Sequence, residues 1–199
     1  MPRPSNTAQR KTEIVHGLAQ VMAERGYAKA TIKEIARASR LTPGLVHYHF
    51  RDKQQILLSL MDGLAALVRA RLDSSALETP DLFAAIHALL GTEEGVETAA
   101  VACWVVIGAE AVRQPDVQEL YEGLMHEAIE VFTKRFRAAM RSAKRSEATA
   151  ETAAVSVVAA IEGFFRLSAG APSCVRAGSA AGAVREIAKG FIDAAEEAS

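Results

Sequence analysis

The chain has 199 residues, half of them apolar, and a formal net charge of −1. This length allows one large domain or two small ones around a buried core. The first residues contain no apolar segment of the signal-peptide kind, and the longest uncharged stretch, residues 98–109, is too short to cross a bilayer. The two cysteines are too few for a disulfide framework and fit a reducing compartment. We therefore expect a soluble, cytoplasmic protein with no membrane partner.

The charge is distributed unevenly along the chain. Residues 1–53 carry ten Lys or Arg and four Asp or Glu, a formal balance of +6, which leaves −7 for residues 54–199. A basic end on an acidic body indicates a polyanion partner for the first part only. Charge alone, however, favours the plainer interpretation of a solvated basic face.

Apolar residues recur at helical spacing almost throughout, without the sustained alternation of strands. The pattern predicts an all-α fold of about nine helices. The first helix has an apolar face that includes Ile14, Leu18 and Met22, and Gly26 is its expected C-terminal cap.

Caps mark the starts of the next helices. Thr31, with Glu34 three residues later, predicts a capping box. Thr42 followed by Pro43 predicts a capped third helix, because proline at the first helical position loses no hydrogen bond. A long amphipathic helix is expected from Lys53.

The later elements follow from breaks and apolar runs. Breaks are expected at residues 79–81 and between Gly91 and Gly95, and Pro115 restarts a long helix. One predicted helix ends near residue 90, and the next spans residues 96–112. A long helix is expected to begin at residue 115. The last two helices are expected over residues 150–169 and 181–195.

Residues 31–58, TIKEIARASRLTPGLVHYHFRDKQQILL, are the most informative part of the sequence. They predict two short helices joined by a tight connection at 39–41, with one small shared core. That core is expected from Ile32, Ile35, Ala36, Leu41, Val46 and Phe50. The second short helix, residues 43–49, then projects outward, which is the helix-turn-helix arrangement that places a helix in the major groove of DNA.

Several side chains of this stretch suit a phosphate-lined groove. Thr31 and Thr42 cap helix N-termini, where backbone N–H groups and the helix dipole favour a phosphate. Tyr48 and His49 can donate to phosphate oxygens, and Lys53 is expected to point its cation toward the same DNA backbone.

The candidates for contact with bases lie on the second short helix. Gly44 permits close approach of that helix to DNA. Thr42, Pro43, Leu45 and His47 are the expected contacts to base edges and thymine methyls.

The pattern Thr31…Ile35-Ala36…Leu41-Thr42-Pro43-Gly44…Tyr48-His49-Phe50-Arg51-Asp52-Lys53…Leu57 resembles the signature of TetR-type regulators. The resemblance covers about the first 60 residues. It implies a three-helix DNA-binding domain, a helical ligand-binding and dimerisation domain, and repression relieved by a ligand. His47 departs from the family, which usually has Tyr there, so the base preference is expected to differ. The alternative is a helical hairpin with no role in DNA binding.

The second half of the chain resembles the C-terminal domain of BetI-like, choline-responsive regulators. The residues that carry this likeness are Trp104, Ala109-Glu110-Ala111, Gln114-Pro115 and the run Ile161-Glu162-Gly163-Phe164-Phe165-Arg166. The resemblance implies a small-molecule effector and no bound cofactor.

A quaternary ammonium effector would need aromatic faces and a counter-charge. Trp104, Tyr121, Phe132 and Phe164 are the candidate faces, and Glu110 is the candidate counter-charge. The alternative is that each aromatic side chain is ordinary core.

Two other groups of residues carry side chains that can bind metal or react. His126 and Glu130 are four residues apart, with Glu127 and His87 available, but a charged exposed helix face explains them more simply than a metal site, so no metal is expected. Cys103 lies in an apolar run and is interpreted as an inert buried thiol.

The last two long helices combine small and apolar residues, which predicts a four-helix dimer interface. The small residues are Ala153, Ala154, Ala159, Ala160, Ala180, Ala181, Gly182 and Ala183, and the apolar ones include Val155. The candidate interface residues are Val158, Ile161, Phe165, Val184, Ile187 and Phe191. The alternative is packing within one chain.

The sequence thus predicts a DNA-binding domain at 1–53 and a ligand-binding and dimerisation domain at 54–199. The function expected is a ligand-responsive homodimeric repressor that binds a palindromic double-stranded operator. The rival is an all-helical enzyme or carrier, but no catalytic spacing of titratable residues is present.

Overall fold

The computed structural model describes residues 6–74, 81–90 and 98–198, and these form nine α-helices and one short 3₁₀-helix at Pro172–Cys174 without any strand. The all-α prediction is confirmed. The predicted breaks at residues 79–80, Gly91 and Gly95 lie outside the described residues. The helices are α1 (Asn6–Arg25), α2 (Ile32–Ala38), α3 (Pro43–His49), α4 (Lys53–Ser74), α5 (Leu82–Leu90), α6 (Thr98–Ala111), α7 (Pro115–Ser142), α8 (Ala150–Gly170) and α9 (Ser179–Ala194).

The predicted caps are present at the first three helices. Gly26 follows α1 with a φ of 77°, a conformation that glycine adopts without steric cost. At α2, the Thr31 hydroxyl accepts from the Glu34 N–H at 3.2 Å, and a Glu34 carboxylate oxygen accepts from the Thr31 N–H at 3.3 Å. These short-range bonds explain why the starts of α2 and α3 can be located from sequence.

A first hydrophobic core joins the N-terminal helices to the rest of the molecule. It contains Ile14, Leu18, Ile35 and other side chains of α1 to α4. It also contains Cys103, Ile107 and Ala111 of α6 and Val117 of α7. The predicted boundary at residue 53 coincides with the start of α4, but this core extends across it.

Gly17 allows the close crossing of α1 and α2. A Cβ at this position would lie 2.1 Å from Ser39 Oγ and 3.0 Å from the Ile35 carbonyl oxygen. Any larger residue would push α2, and with it α3, away from α1.

A second hydrophobic core fills the space between α5, α7, α8 and α9. Phe132, Phe136, Ala153, Val157 and Val184 are each at most 1% exposed. By length and composition alone, α8 could cross a membrane, but one of its faces forms part of this core.

Candidate nucleic-acid interface and small-molecule cavity

Helix α3 presents its polar face to solvent. Thr42, Pro43, Gly44, His47 and Tyr48 are all exposed, and Tyr48 is 79% exposed. The other predicted contacts on this helix, Leu45 and His49, are half-buried. The sequence prediction of an outward-facing second helix agrees with this arrangement.

The opposite face of α3 fixes its position. Val46 is fully buried and Phe50 is 4% exposed, both in the first core. The connection from α2 is tight because Arg40 adopts a φ of 57° and the Leu41 N–H donates to the Ala36 carbonyl at 2.8 Å. The chain itself holds α3 outward before any partner arrives.

Packing within the chain does not require a glycine at position 44. A Cβ built there meets nothing within 4 Å. Its small size therefore leaves the outer surface of α3 flat near its N-terminus, where Thr42 already caps the helix by accepting from the Leu45 N–H at 3.3 Å.

Lys53 is more constrained than the sequence suggested. Its ammonium donates to the Tyr27 carbonyl at 2.9 Å and lies 4.0 Å from the centroid of the Tyr27 ring. Burial lowers the pKa of Lys53, while the charge of Glu110 opposes that shift. Lys53 therefore joins the start of α4 to the segment after α1, and its ammonium keeps donors for a phosphate because it has three. Its contact with DNA stays a prediction.

A cavity of about 570 Å³ lies between α4, α5, α6, α7 and α8. Its wall is mainly apolar and includes Leu64, Val68, Val101, Met125, Val131 and Ile161. Two of the predicted ligand-contacting aromatic residues, Trp104 and Phe132, line it. Its size and composition fit a small-molecule site.

Glu162 lies on the wall of this cavity, and Glu110 does not. Glu110 accepts from the Gln114 side chain at 2.7 Å, and its charge acts on Tyr27 and Lys53 near the N-terminal helices. The prediction for Glu110 as a counter-charge in the cavity is wrong, because it lies at the end of α6 away from the wall.

Glu162 is held by two neutral donors. The Trp104 indole N–H donates to its two oxygens at 2.9 and 3.1 Å, and the Tyr121 hydroxyl donates at 3.0 Å. Burial raises the pKa of Glu162, and these two hydrogen bonds oppose the rise. Glu162 could have been identified from the sequence, because helical spacing places it on the same face of α8 as the apolar residues Val158 and Phe165.

The other two predicted ligand contacts stand behind the wall or away from it. Tyr121 does not line the cavity but supports it, since its ring lies 5.2 Å from the Trp104 ring, centroid to centroid. Tyr121 packs beside Gly108, where a Cβ would lie in ordinary van der Waals contact, 3.4 Å from the Tyr121 hydroxyl. Phe164 packs against the second core and does not line the cavity, so the prediction for Phe164 is corrected.

The exposed rim of the cavity is crossed by an ion pair. Arg69 of α4 donates two hydrogen bonds of 2.6 Å to the Glu127 carboxylate of α7. Both residues line the cavity and both are about half-exposed. This bidentate contact joins the two helices at the solvent side.

Three of the predicted dimer-interface residues are buried within the chain. Val158, Ile161 and Val184 are 8%, 4% and 0% exposed, and they belong to the second core. Phe165 is half-buried and lines the cavity. Val158, Ile161 and Val184 are corrected from interface to interior, because the alanine-rich segments let α8 and α9 pack closely on α7 and α5. The interface assignment of Phe165 stays a prediction.

A different face of α8 and α9 is exposed and apolar. On α8 the exposed residues Val155, Ala159, Gly163 and Leu167 recur every four positions. On α9 the exposed stripe is Ala183, Ile187, Gly190 and Ala194, and Phe191 beside it is half-buried. A Cβ at Gly163 or Gly190 would meet nothing within 4 Å, so neither glycine serves packing inside the chain.

The described residues contain no group of three metal-ligating side chains. Cys103 is buried, and its thiol donates to the Ala19 carbonyl at 3.2 Å. Burial raises the pKa of this thiol to about 11, which keeps it protonated at neutral pH.

An outward recognition helix on a buried core, followed by a helical domain with an internal cavity, defines a helix-turn-helix regulator of the ligand-binding kind. Residues 14–60 match bacterial regulatory proteins of the tetR family, and residues 78–194 match the C-terminal domain of the BetI-type transcriptional repressor. The chain belongs to the TetR family, with a BetI-type C-terminal domain. It is a DNA-binding transcriptional repressor, and this family consists of regulators and not enzymes.

Individual relatives agree with this assignment. The BetI regulator of Rhizobium meliloti is 25% identical over 173 residues, which cover 83% of this chain and 80% of that protein. A regulator from Rhodococcus has a TM-score of 0.81 at 20% identity, covering 95% of this chain and 99% of that one. A regulator from Saccharomonospora viridis, solved in complex with choline, has a TM-score of 0.77 at 20% identity, covering 94% and 97%.

Proposed function

We propose that the protein is a homodimeric repressor that binds a palindromic operator and is released from it by a small molecule. The observation that carries the proposal is the position of α6. One face of this helix, with Cys103 and Ile107, belongs to the core that holds the DNA-binding helices. The other face, with Val101 and Trp104, forms part of the cavity wall.

The DNA contacts are proposed for the exposed side of α2 and α3. The basic balance of residues 1–53 supplies the attraction to DNA, which makes affinity fall steeply with salt. Thr31, Tyr48, His49 and the remaining donors of Lys53 contact phosphates and position the domain. Base readout belongs to Thr42, Pro43, Leu45 and His47, and Gly44 allows the close approach.

The dimer is proposed to form through the exposed stripes of α8 and α9. Two such helices from each subunit make a four-helix interface, and the glycines on the stripes let the backbones approach closely. Ile187 and Phe191 remain from the sequence prediction, and Val155 and Leu167 replace the residues that are buried. A dimer presents two α3 helices and therefore reads two half-sites.

Ligand binding in the cavity is coupled to DNA binding through α4 and α6, the two helices that contact both the cavity and the DNA-binding helices. Helix α4 begins at Lys53 beside Tyr27 and passes along the cavity from Leu64 to Leu72. A ligand that pushes α4 and α6 apart moves both supports of the DNA-binding helices. The separation of the two α3 helices then no longer matches half-sites spaced by a whole helical turn. The choline bound to the S. viridis regulator supports a small-molecule effector for the family fold.

The test begins with selection of binding sites from a random-sequence DNA library. We expect a two-fold symmetric site, bound by two chains, with half-sites about 10 base pairs or a multiple of that apart. An asymmetric site, or one chain per site, would contradict the homodimeric part of the proposal.

The effector role has its own test. A ligand of the cavity must weaken operator binding by the same factor by which operator weakens its own binding, since the coupling is reciprocal. A cavity ligand that binds equally well with and without operator is not the effector.

A further inference from the structure

We propose that the Arg69–Glu127 ion pair is a gate. Small molecules enter and leave the cavity between the two helices that this pair joins, and they pass only while the pair is open. This access route is independent of the identity of the effector and so goes beyond the proposed function. Three features support it: the position of the pair on the wall, the anchoring of α4 on either side of it, and the geometry of the pair.

The pair lies where the wall of the cavity meets solvent. Leu67 and Val68 line the cavity directly before Arg69 on α4, and they are 58% and 40% exposed. Other parts of the wall are closed, since Phe132 and Ile161 are 1% and 4% exposed. A molecule that reaches the interior between α4 and α7 must therefore pass the two long charged side chains that span this opening.

Helix α4 is anchored on both sides of the opening. Toward its start, Leu57 is fully buried in the first core, and toward its end, Leu72 is 7% exposed in the second core. The Arg135 guanidinium also donates to the Leu72 carbonyl at 3.4 Å. The helix therefore stays in place while the gate opens, and opening requires only rotation of the Arg69 and Glu127 side chains.

The pair is well formed but exposed enough to open. Arg69 Nε and one terminal nitrogen of the same guanidinium each donate to a different oxygen of Glu127 at 2.6 Å. These hydrogen bonds lower the pKa of Glu127 below its ordinary value, so both groups are charged at neutral pH. The two side chains are 50% and 43% exposed, so water replaces the bonds at small cost when the pair separates. A bidentate contact of this kind favours the closed state without locking it.

A gate differs in its kinetics from a residue that binds the ligand. The pair can form again over a molecule already inside, so it is present in both the empty and the occupied protein. Its loss should therefore raise the rate constants of entry and exit by the same factor and leave Kd unchanged, because the pair favours neither state over the other. A side chain that binds the molecule would change Kd instead.

The experiment uses the full-length protein and N-phenyl-1-naphthylamine, a neutral apolar dye that the charges of the rim do not steer. Stopped-flow quenching of Trp104, the single tryptophan of the chain and a residue of the cavity wall, gives both rate constants, and titration gives Kd. Arg69→Gln and Glu127→Gln should each raise both rate constants about threefold, which is the scale of an exposed ion pair. The double variant should behave as either single variant does, because each substitution breaks the same pair.

Arg141→Gln is the matched control. It breaks the ion pair of Arg141 with Glu147, two hydrogen bonds of 2.9 Å between residues that do not line the cavity, and it should change neither rate constant. Salt should remove the difference between the wild type and the gate variants. Between about 0.05 and about 0.5 M NaCl, the ratio of variant to wild-type entry rates should fall from about three toward about one, because screening weakens the pair.

Four outcomes would overturn the inference: a changed Kd, unequal factors for entry and exit, additive effects of the two substitutions, or rates in the variants equal to those of the wild type. Failure of the dye to bind would overturn it as well, since the opening would then admit no apolar molecule. Weakened operator binding by Arg69→Gln in the absence of dye would also do so, because the pair would then hold α4 in place.

Operator binding separates the gate from the proposed function. If the dye exchanges as expected but no ligand of the cavity weakens operator binding, the gate stands and the proposed effector role fails. If a cavity ligand releases the operator while the gate variants exchange it at the wild-type rate, the gate is overturned and the proposed function stands.

Discussion

The helix-turn-helix and the cavity differ in how far apart in sequence their residues lie. The first is built from residues 31–53, and its caps and its turn are held by hydrogen bonds between residues about three to five positions apart. The cavity takes its wall from five helices between Leu64 and Phe165. Local bonds therefore determine the geometry of the first region, whereas the second exists only where distant helices pack imperfectly.

The same difference explains where the sequence predictions succeeded. The exposed set on α3 agrees with the pattern, because its single buried phase at Val46 and Phe50 decides which face is outward. In the second domain α5, α6 and α8 are apolar on more than one side. Pattern alone could not tell which acid, Glu110 or Glu162, faced the empty volume.

The largest effect is expected from a charge in the core of the helix-turn-helix. Val46→Asp should destabilise the protein by at least about 3 kcal/mol and abolish operator binding, because Val46 is fully buried and the carboxylate finds no partner. His47→Asp is the matched control, since it adds the same charge at an exposed position and should keep the fold. Urea unfolding followed by circular dichroism measures both.

Trp104 fluorescence sharpens this test. Cys103 and Ile107 lie in the same core as Val46, so we expect the cavity to be lost in the same transition as the helix-turn-helix. A Trp104 signal that survives after the helical signal of the N-terminal region is lost would show that the two regions unfold independently.

A charge on the exposed stripe of α9 should give the next largest effect. Ile187→Asp should produce monomers and weaken operator binding at least about a hundredfold, because a dimer would bury the carboxylate unpaired and a monomer reads one half-site. Lys189→Asp lies two residues on, at the far side of the helix, and should stay dimeric. Light scattering after size exclusion measures the oligomeric state of each variant. A monomeric wild type would contradict the proposed homodimer.

Loss of one phosphate donor should have a smaller effect. Tyr48→Phe should weaken binding to all DNA sequences by about tenfold, since a hydrogen bond to a charged group is lost and phosphate contacts carry no base information. Tyr27→Phe is the control, because Lys53 uses the ring and the carbonyl of Tyr27 and not its hydroxyl. Fluorescence anisotropy on operator and on unrelated DNA measures the ratio, and a change confined to the operator would assign Tyr48 to base readout.

The smallest effect concerns Glu162 in the ligand-free protein. Burial raises its pKa in the folded state above the ordinary value of 4.5, so its ionisation disfavours the folded state. This penalty is fully present above the folded-state pKa and vanishes as the pH falls below about 4.5. Glu162→Gln should therefore raise the unfolding midpoint at pH 7.5 by on the order of 1–3 °C.

The pH dependence is the diagnostic part of that prediction. The increase in the unfolding midpoint of Glu162→Gln should become smaller as the pH is lowered toward 4.5. Glu130→Gln, at an exposed position, should shift the midpoint little at any pH. A gain that grows on acidification would reverse the sign and contradict the raised pKa.

The sequence by itself determined the helix-turn-helix. The hydroxyl caps at Thr31 and Thr42, the cap at Gly26 and the buried phase of Val46 and Phe50 act over a few residues, where spacing is enough to predict geometry. It also located the long helices α7, α8 and α9 within a few residues, because their apolar periodicity and flanking breaks are local signals.

Only the tertiary structure decided which faces of those helices meet one another. It moved Val184 and Ile161 from a predicted interface into the core and replaced Glu110 by Glu162 on the cavity wall. It also turned Lys53 back onto Tyr27. The physical reason is that a helix with apolar residues on most sides satisfies several packings equally well, and the choice among them depends on the shapes of distant helices.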